Sequence, residues 1–377
     1  MLKVLITGSN GFVGKNLINR LKYKNDVVIY EYDMVTSYQL LDEYCQDCNF
    51  IFNLAGVNRT QNKSDFMEGN YGFITTLLSC LKKHKNRCPI MLASSIQAEL
   101  KNPYGESKKS GEEYLLRYGE TYNAPIFIYR FSNLFGKWCR PNYNSVVATF
   151  CHNIANNLPI QINDPSTVLK LVYIDDVVDS LIDLLNADWN LNQKKYYEVK
   201  PEYSISLKEL ANLIYSFKES RITNFLSDMS ENSISKKLYS TYLSYLPKNQ
   251  FSYPLKMNVD SRGSFTEVFR TIDKGQFSIN ISKPGIEKGN HWHNTKNEKF
   301  VVVHGQALIQ FRQIGSEEII NYHVSDQMLE VVDIPVGYTH NIINEGNTDL
   351  VTLMWCNECF DKDRPDTYKL NVNEEIK

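Results

Sequence analysis

The sequence predicts two folds in series, a doubly wound parallel α/β sheet over residues 1–250 and an all-β double-stranded barrel over 251–377. Three observations carry this. Apolar strand-like runs alternate with helical periodicity to about residue 190, and a glycine-rich turn joins the first run to the first helix. From about residue 251 the period drops to two, as in Phe300-Val301-Val302-Val303 and Ala307-Leu308-Ile309-Gln310-Phe311.

In chain order, Leu2-Lys3-Val4-Leu5-Ile6 is the first strand and runs into Thr7-Gly8-Ser9-Asn10-Gly11-Phe12-Val13-Gly14. Val27-Val28-Ile29-Tyr30 is a second strand and Phe50-Ile51-Phe52-Asn53-Leu54-Ala55-Gly56 a third. Pro89-Ile90-Met91-Leu92-Ala93 leads into Ser94-Ser95, and Ile126-Phe127-Ile128-Tyr129-Arg130 is a further strand. Residues 206–218 have a helical apolar stripe, whereas 220–250 is Ser-, Asn- and Tyr-rich and reads as a docking segment or linker.

A chain of 377 residues exceeds what one core organises, in keeping with two domains. A net charge of −2 without a polybasic block excludes nucleic acid and membrane surface as partners. No apolar run approaches the roughly 20 residues of a membrane span, and residues 1–14 read as strand and turn rather than a cleavable signal. Eight cysteines without framework spacing read as reduced thiols of a cytoplasmic protein. The pairs Cys45/Cys48 and Cys356/Cys359 each stand alone, without a second half-site.

The amino-terminal turn lets backbone approach a pyrophosphate at a helix N-terminus. It resembles the TGxxGFxG form of extended short-chain dehydrogenases, a Rossmann-like family. The pieces that follow match in order: Ser95 after its strand, then Tyr104-Gly105-Glu106-Ser107-Lys108 as Y-x-x-x-K. Tyrosine and lysine four apart share a helix face, where an ammonium can lower the phenol's pKa and ready Tyr104 for proton transfer. Ser95 would hold the substrate oxygen. Sugar dehydratases of this family carry an Asp-Glu pair just after the active-site hydroxyl residue; here those positions read Ile96-Gln97, which favours reduction. A 4-epimerase remains compatible with the triad alone.

The carboxyl-terminal half carries metal-ligand spacing. Gly285, His291, His293, Glu298 and Gly305 form G-x5-H-x-H-x4-E-x6-G, and Pro335, Gly337, His340 and Asn344 form P-x-G-x2-H-x3-N. Residues i and i+2 of a strand share a face, so His291 and His293 can meet one ion, with Glu298 and His340 completing a set suited to zinc. Manganese, iron or nickel would also fit. The spacing resembles both motifs of the metal-binding cupins, except that Leu329 stands where the second motif usually opens with glycine.

Taken whole, the chain is similar to the CapF-type enzymes of capsular polysaccharide synthesis, extended short-chain dehydrogenases fused to a cupin. Leu54-Ala55-Gly56-Val57-Asn58-Arg59, Asn102-Pro103-Tyr104, Asn133-Leu134-Phe135-Gly136-Lys137-Trp138-Cys139 and Gly289-Asn290-His291-Trp292-His293 carry that resemblance. It implies C3 epimerisation of a UDP-2-acetamido-2,6-dideoxy-4-hexulose by the cupin and C4 reduction with NADPH by the dehydrogenase. It implies cofactor binding by Gly8, Asn10, Gly11, Phe12, Val13, Gly14, Leu54, Ala55, Gly56 and Asn70, substrate binding by Arg130, Asn133 and Asn144, and a homodimer through the cupin. Asp33, 19 residues past Gly14, sits where NAD-specific enzymes bind the ribose diol, so NADH stays an alternative. The base of the epimerisation is open among Tyr338, Lys296, Lys299 and His323. Two other readings stand beside this one: a single-activity reductase with a structural cupin, and a dinucleotide-binding sensor.

Overall fold

The structure is a computed structural model that describes residues 1–187, 189 and 195–374. It forms two compact units, Met1–Ile214 with Lys237–Pro247, and Tyr215–Lys236 with Lys248–Lys377.

The first unit is built from β1 (Leu2–Thr7), α1 (Phe12–Leu21), β2 (Val27–Tyr32), α2 (Tyr38–Asp47), β3 (Phe50–Asn53), α3 (Lys63–Phe66), α4 (Phe73–His84), β4 (Ile90–Ser95) and α5 (Pro103–Tyr122). Then come β5 (Ile126–Phe131), β6 (Asn133–Phe135), α6 (Val146–Ala155), β7 (Val168–Tyr173), α7 (Ile174–Asp183), β8 (Tyr196–Tyr197) and β9 (Tyr203–Ser206). A six-stranded parallel sheet runs β2-β1-β3-β4-β5-β8. Its central strand β3 is buried along its whole length because helices cover both faces. Val4, Ile6, Phe50 and Phe52 pack with α1 and α7 through Leu17, Leu21, Val178 and Leu181. Leu5 and Ile51, one residue out of phase, pack on the other face with α2, α4 and α5 through Leu41, Leu78 and Leu115. The strand order turns between β1 and β3, which places the ligand crevice at their carboxyl ends. A separate small sheet joins β6, β7 and β9.

Residues 220–250 depart from the linker reading. Helix α8 (Leu207–Thr223) continues past 218, and α9 (Ile234–Leu243) forms a further helix. The buried stripe of α9 is Ser235, Leu238, Thr241 and Tyr242, so two hydroxyl residues mask its apolar period. The segment before α9 belongs to the second unit: Arg270 and the 224–226 backbone exchange main-chain hydrogen bonds, Arg270 N–H to Asn224 O and Leu226 N–H to Arg270 O, both at 2.8 Å. The division between units is therefore not a single cut near residue 250.

The second unit contains β10 (Asn258–Asp260), β11 (Gly263–Arg270), β12 (Gln276–Ser282), β13 (Glu287–Trp292), β14 (Glu298–His304) and β15 (Gln306–Gln313). It continues with β16 (Ile319–Ser325), β17 (Val332–Ile334), β18 (Tyr338–Asn344), β19 (Leu350–Cys356) and β20 (Tyr368–Lys369). Two antiparallel sheets, β10-β11-β12-β19-β14-β17 and β16-β15-β18-β13-β20, make the barrel. Alternate residues Phe300 and Val302 of β14 and Ala307, Ile309 and Phe311 of β15 fill its core. Among the described residues no helix is long and apolar enough to cross a membrane.

Candidate functional site

The turn after β1 is shaped by close contact with the loop after β3. Thr7 donates its hydroxyl to Asn53 Oδ1 at 2.7 Å and accepts the Ala55 N–H at 3.3 Å. Gly8 has φ +67°, and a Cβ there would lie 2.8 Å from Ala55 N, so only glycine fits. Helix α1 begins at Phe12 with no side chain capping it, which leaves its first N–H groups available to an anion. Asp33, just past β2, accepts the Asn10 N–H at 2.7 Å and the Met34 N–H at 2.8 Å. No lysine or arginine occurs between Lys24 and Arg59.

Ser95 ends β4, while Asn102 caps α5 through the Gly105 N–H at 2.8 Å, which sets Tyr104 in the first turn. Lys108 follows one turn later, its Nζ 6.0 Å from the Tyr104 ring centroid and donating to Ala93 O at 3.0 Å. Burial lowers the Lys108 ammonium to about 8, with Glu112 opposing. Burial raises the Tyr104 phenol, with the Ser95 hydroxyl opposing. The expected lowering of that phenol is thus not present: Lys108 is engaged by a carbonyl, and desolvation dominates.

Asn70 lies in a π-helical turn (Met67–Gly72), a feature that often marks functional positions. Its amide holds both the N–H (3.0 Å) and the carbonyl (2.9 Å) of Val57 and donates to Ser107 at 2.9 Å. It therefore clamps the loop beside Lys108 rather than offering a free group. Arg130 is held by the protein. Its guanidinium forms a two-point pair with buried Glu112 at 3.0 and 2.6 Å, also reaches Glu99, and stacks on Tyr196, so the protein itself occupies it. Asn133 donates to Lys170 O at 3.1 Å between β6 and β7, and Asn144 is exposed before α6. Glu112 was not singled out by sequence, although it lies one turn past Lys108 on the same helix face.

In the barrel, His291, His293, Glu298 and His340 each present a ligand atom, all within 4.8 Å of one another, and this is the one such group among the described residues. A bulge between Gly289 and His291 in β13 and the register of β18 opposite bring the imidazoles together. Glu298 Oε2 lies 3.6 Å from His293 Nε2 and 3.4 Å from His340 Nε2. His293 Nε2, Glu298 Oε2 and both ring nitrogens of His340 are buried without a hydrogen-bond partner. Such atoms are costly unless something binds them, and a divalent cation fits this donor set. Burial alone would raise Glu298, but His293 and His340 hold its carboxyl well below the usual range. Burial lowers His291 to about 4, with His340 adding, which keeps that imidazole neutral as a ligand must be.

The other nitrogen of His293, Nδ1, meets Asp366 O at 2.5 Å, the outer contact that orients a ligating imidazole. The Asp366 carboxylate accepts the N–H groups of Asn294, Thr295 and Lys296 at 2.9–3.0 Å, pinning that strap. Leu329 is exposed in a turn away from the ligands. All eight cysteines are free; Cys45 and Cys48 are core residues.

Beside the ligand group opens a cavity of about 350 Å³, lined by Asp260, Arg262, Asn280 and Lys288 together with His291, Glu298 and His340. None of Tyr338, Lys296, Lys299 and His323 lines it. Tyr338 packs on the barrel core, Lys296 points at Pro365 O, Lys299 pairs with Asp333, and His323 is exposed beside Glu345.

Comparison with known proteins agrees with both halves. Residues 4–199 match the NAD dependent epimerase/dehydratase family, and 258–368 match the polysaccharide biosynthesis C-terminal domain. A Pseudomonas aeruginosa protein named UDP-2-acetamido-2,6-beta-L-arabino-hexul-4-ose reductase is 42% identical over 99% of this chain and 100% of its own length. The crystal structure of the capsular polysaccharide assembling protein CapF from Staphylococcus aureus superposes with TM-score 0.90 at 51% identity, over 98% of this chain and 100% of that one. A Bacillus cereus UDP-glucuronic acid 4-epimerase in complex with NAD shares the fold at 17% identity and TM-score 0.54, over 65% of this chain and 98% of that one. The chain therefore belongs to the NAD dependent epimerase/dehydratase family, among the CapF-type enzymes that join this fold to a polysaccharide biosynthesis C-terminal domain.

Proposed function

We propose that this chain is a bifunctional enzyme of capsular or surface polysaccharide precursor synthesis. Its C-terminal unit epimerises C3 of a UDP-2-acetamido-2,6-dideoxy-4-hexulose. Its N-terminal unit reduces the C4 ketone to UDP-2-acetamido-2,6-dideoxy-L-talose, on the route to UDP-N-acetyl-L-fucosamine. The name of the Pseudomonas aeruginosa relative supports the substrate class, and that of the Staphylococcus aureus structure supports the capsular setting. The observation that carries the reading is the presence of two separate sites in one chain: a Ser95–Tyr104–Lys108 set without a dehydratase acid–base pair, and a buried imidazole–carboxylate group opening on its own cavity.

In the reductase unit the turn of Gly8, Asn10, Gly11 and Gly14 and the start of α1 would hold a nicotinamide dinucleotide, which when bound in its reduced form would supply hydride for C4. Tyr104 gives its phenolic proton to the C4 oxygen; Ser95 hydrogen-bonds that oxygen and opposes the rise that burial imposes on the phenol, while Lys108 holds the Ala93 carbonyl one helical turn away. The resemblance implies NADPH, but the Asp33 carboxylate beside the turn and the lack of a nearby basic residue in that stretch favour the free ribose diol of NADH. In the barrel His291, His293, Glu298 and His340 would hold a zinc-like ion, which when bound supplies a Lewis acid for a carbonyl oxygen.

The test is incubation with a UDP-4-keto-6-deoxy-hexosamine in deuterated water, with NADH or NADPH, followed by NMR of the product. Deuterium at C3 with inverted configuration and reduction at C4 are expected. Reduction with retained C3 configuration and no deuterium would leave a single-activity reductase.

A further inference from the structure

We infer that Lys288 of β13 is the base that removes the C3 proton of the keto sugar in the barrel cavity, an assignment that rests on the epimerase reading above. Shifting the configuration beside a ketone needs a group that can take a proton from carbon. Apart from the proposed metal ligands, the titratable side chains lining the cavity are Asp260, Arg262 and Lys288. Arg262 stays protonated at any working pH. Asp260 is exposed and held by Arg262, whose side chain donates to it at 2.6 and 3.1 Å and whose N–H donates at 2.8 Å, which keeps its carboxyl below the usual range and makes it a weak base. Lys288 is left.

The surroundings of its amine suit that role. Nζ donates to Asn280 Oδ1 at 2.7 Å and to Ile281 O at 2.9 Å, both neutral acceptors, and among the described residues no carboxylate pairs with it. A neutral amine has two N–H bonds and one lone pair. With both N–H groups engaged by these acceptors, the lone pair is the valence that remains. Burial holds the ammonium below the ordinary lysine range; Asp260 of β10 opposes this and Arg262 adds to it. The other charged or titratable groups facing the cavity are His291 on the same strand, Glu298 of β14 and His340 of β18.

The step balances without an added reagent. The Lys288 lone pair takes the C3 hydrogen as a proton, the C3–H electrons form the C3–C4 double bond, and the carbonyl pair moves onto O4. Collapse of this enolate with a proton from water on the opposite face inverts C3. The Lys288 ammonium returns its proton to the hydroxide so formed.

The experiment compares the metal-loaded full chain with Lys288→Ala, Lys288→Met and Lys288→Arg, following C3 deuterium incorporation without nicotinamide. Metal content and melting temperature are measured in each. All three variants should lose exchange by about 100-fold, the scale of one general base, while keeping their metal and fold. Methylamine should restore part of the exchange to Lys288→Ala. In the unaltered protein, acetic anhydride should label Lys288 at lower pH than exposed lysines. Exchange within about threefold of the unaltered protein in Lys288→Met overturns the assignment. Exchange retained in Lys288→Arg does so too, since a fixed cation would then suffice. Metal loss in the variants overturns it in favour of a structural lysine. No exchange in the unaltered protein overturns the epimerase reading itself.

Discussion

The two units solve the problem of a buried polar site in opposite ways. Around the N-terminal site the buried polar side chains are held by protein groups: Thr7 by Asn53, Asn70 by the Val57 backbone and Ser107, and Glu112 by Ser94 and Arg130. The candidate cofactor site is built largely from backbone, at a glycine turn and an uncapped helix start. In the barrel, four side chains converge and leave buried nitrogens and an oxygen without partners. The first site is organised by protein alone, while the second is organised toward an ion. Each unit also has its own hydrophobic core, so damage to one chemistry should leave the other standing.

The largest expected effect tests this separation from the reductase side. Tyr104→Phe removes the proton donor and should cut nicotinamide oxidation by at least about 100-fold. Nicotinamide binding and C3 deuterium exchange should persist. Near-normal turnover would remove Tyr104 from the mechanism.

From the barrel side, the unaltered protein should carry about one metal equivalent per chain, and His291→Ala or His340→Ala should lose it. C3 exchange should vanish with the metal, measured by NMR in deuterated water. Reduction of a substrate already carrying the inverted C3 should continue. Exchange that survives metal loss would make the ion structural; reduction and exchange falling together would mean that the units are not separable.

A smaller effect sharpens the contrast in how the ligands are held. Asp366→Ala releases the strap that places a carbonyl on His293 Nδ1. Metal affinity should fall by about 10- to 100-fold, the usual scale for an outer contact of a ligating histidine, as read by chelator competition. Unchanged affinity would show that the barrel fixes His293 without the strap.

The smallest concerns the backbone-built site. Asp33→Ala should raise the preference for NADPH over NADH by about tenfold, or about 1.4 kcal/mol, measured as the ratio of kcat/KM values. A strong NADPH preference in the unaltered protein would show that Asp33 acts only on the Asn10 turn and not on the ribose.

Much of both sites was legible because short, local rules produced it. The glycine turn, the one-turn spacing of Tyr104 and Lys108, and the two-residue spacing of His291 and His293 are each set by the geometry of a single element. Residues defined by distant partners were not legible. Arg130, which the resemblance assigns to substrate, pairs with Glu112 because its strand lies beside β4 and near α5. Helix α9 was hidden because hydroxyls sit on its buried face. For 220–250 the sequence left docking segment and linker open; the main-chain pairing of 224–226 with Arg270 fits the docking alternative and leaves no side-chain pattern to read.

The sequence by itself therefore determined the two fold classes, and it singled out the glycine turn, the Ser95–Tyr104–Lys108 set and the four proposed metal ligands, since periodicity and short-range spacing encode them. Only the tertiary structure decided that Asn70 clamps a loop, that Asp366 orients His293, and that Lys288 rather than Lys296 or Lys299 borders the cavity. Lys288 on β13, Lys299 on β14 and Lys296 between the two strands look alike as letters. Which of them meets substrate depends on strand register, on a bulge beside Gly289 and on which sheet face closes over the cavity, and those are set by pairings between strands far apart in the chain.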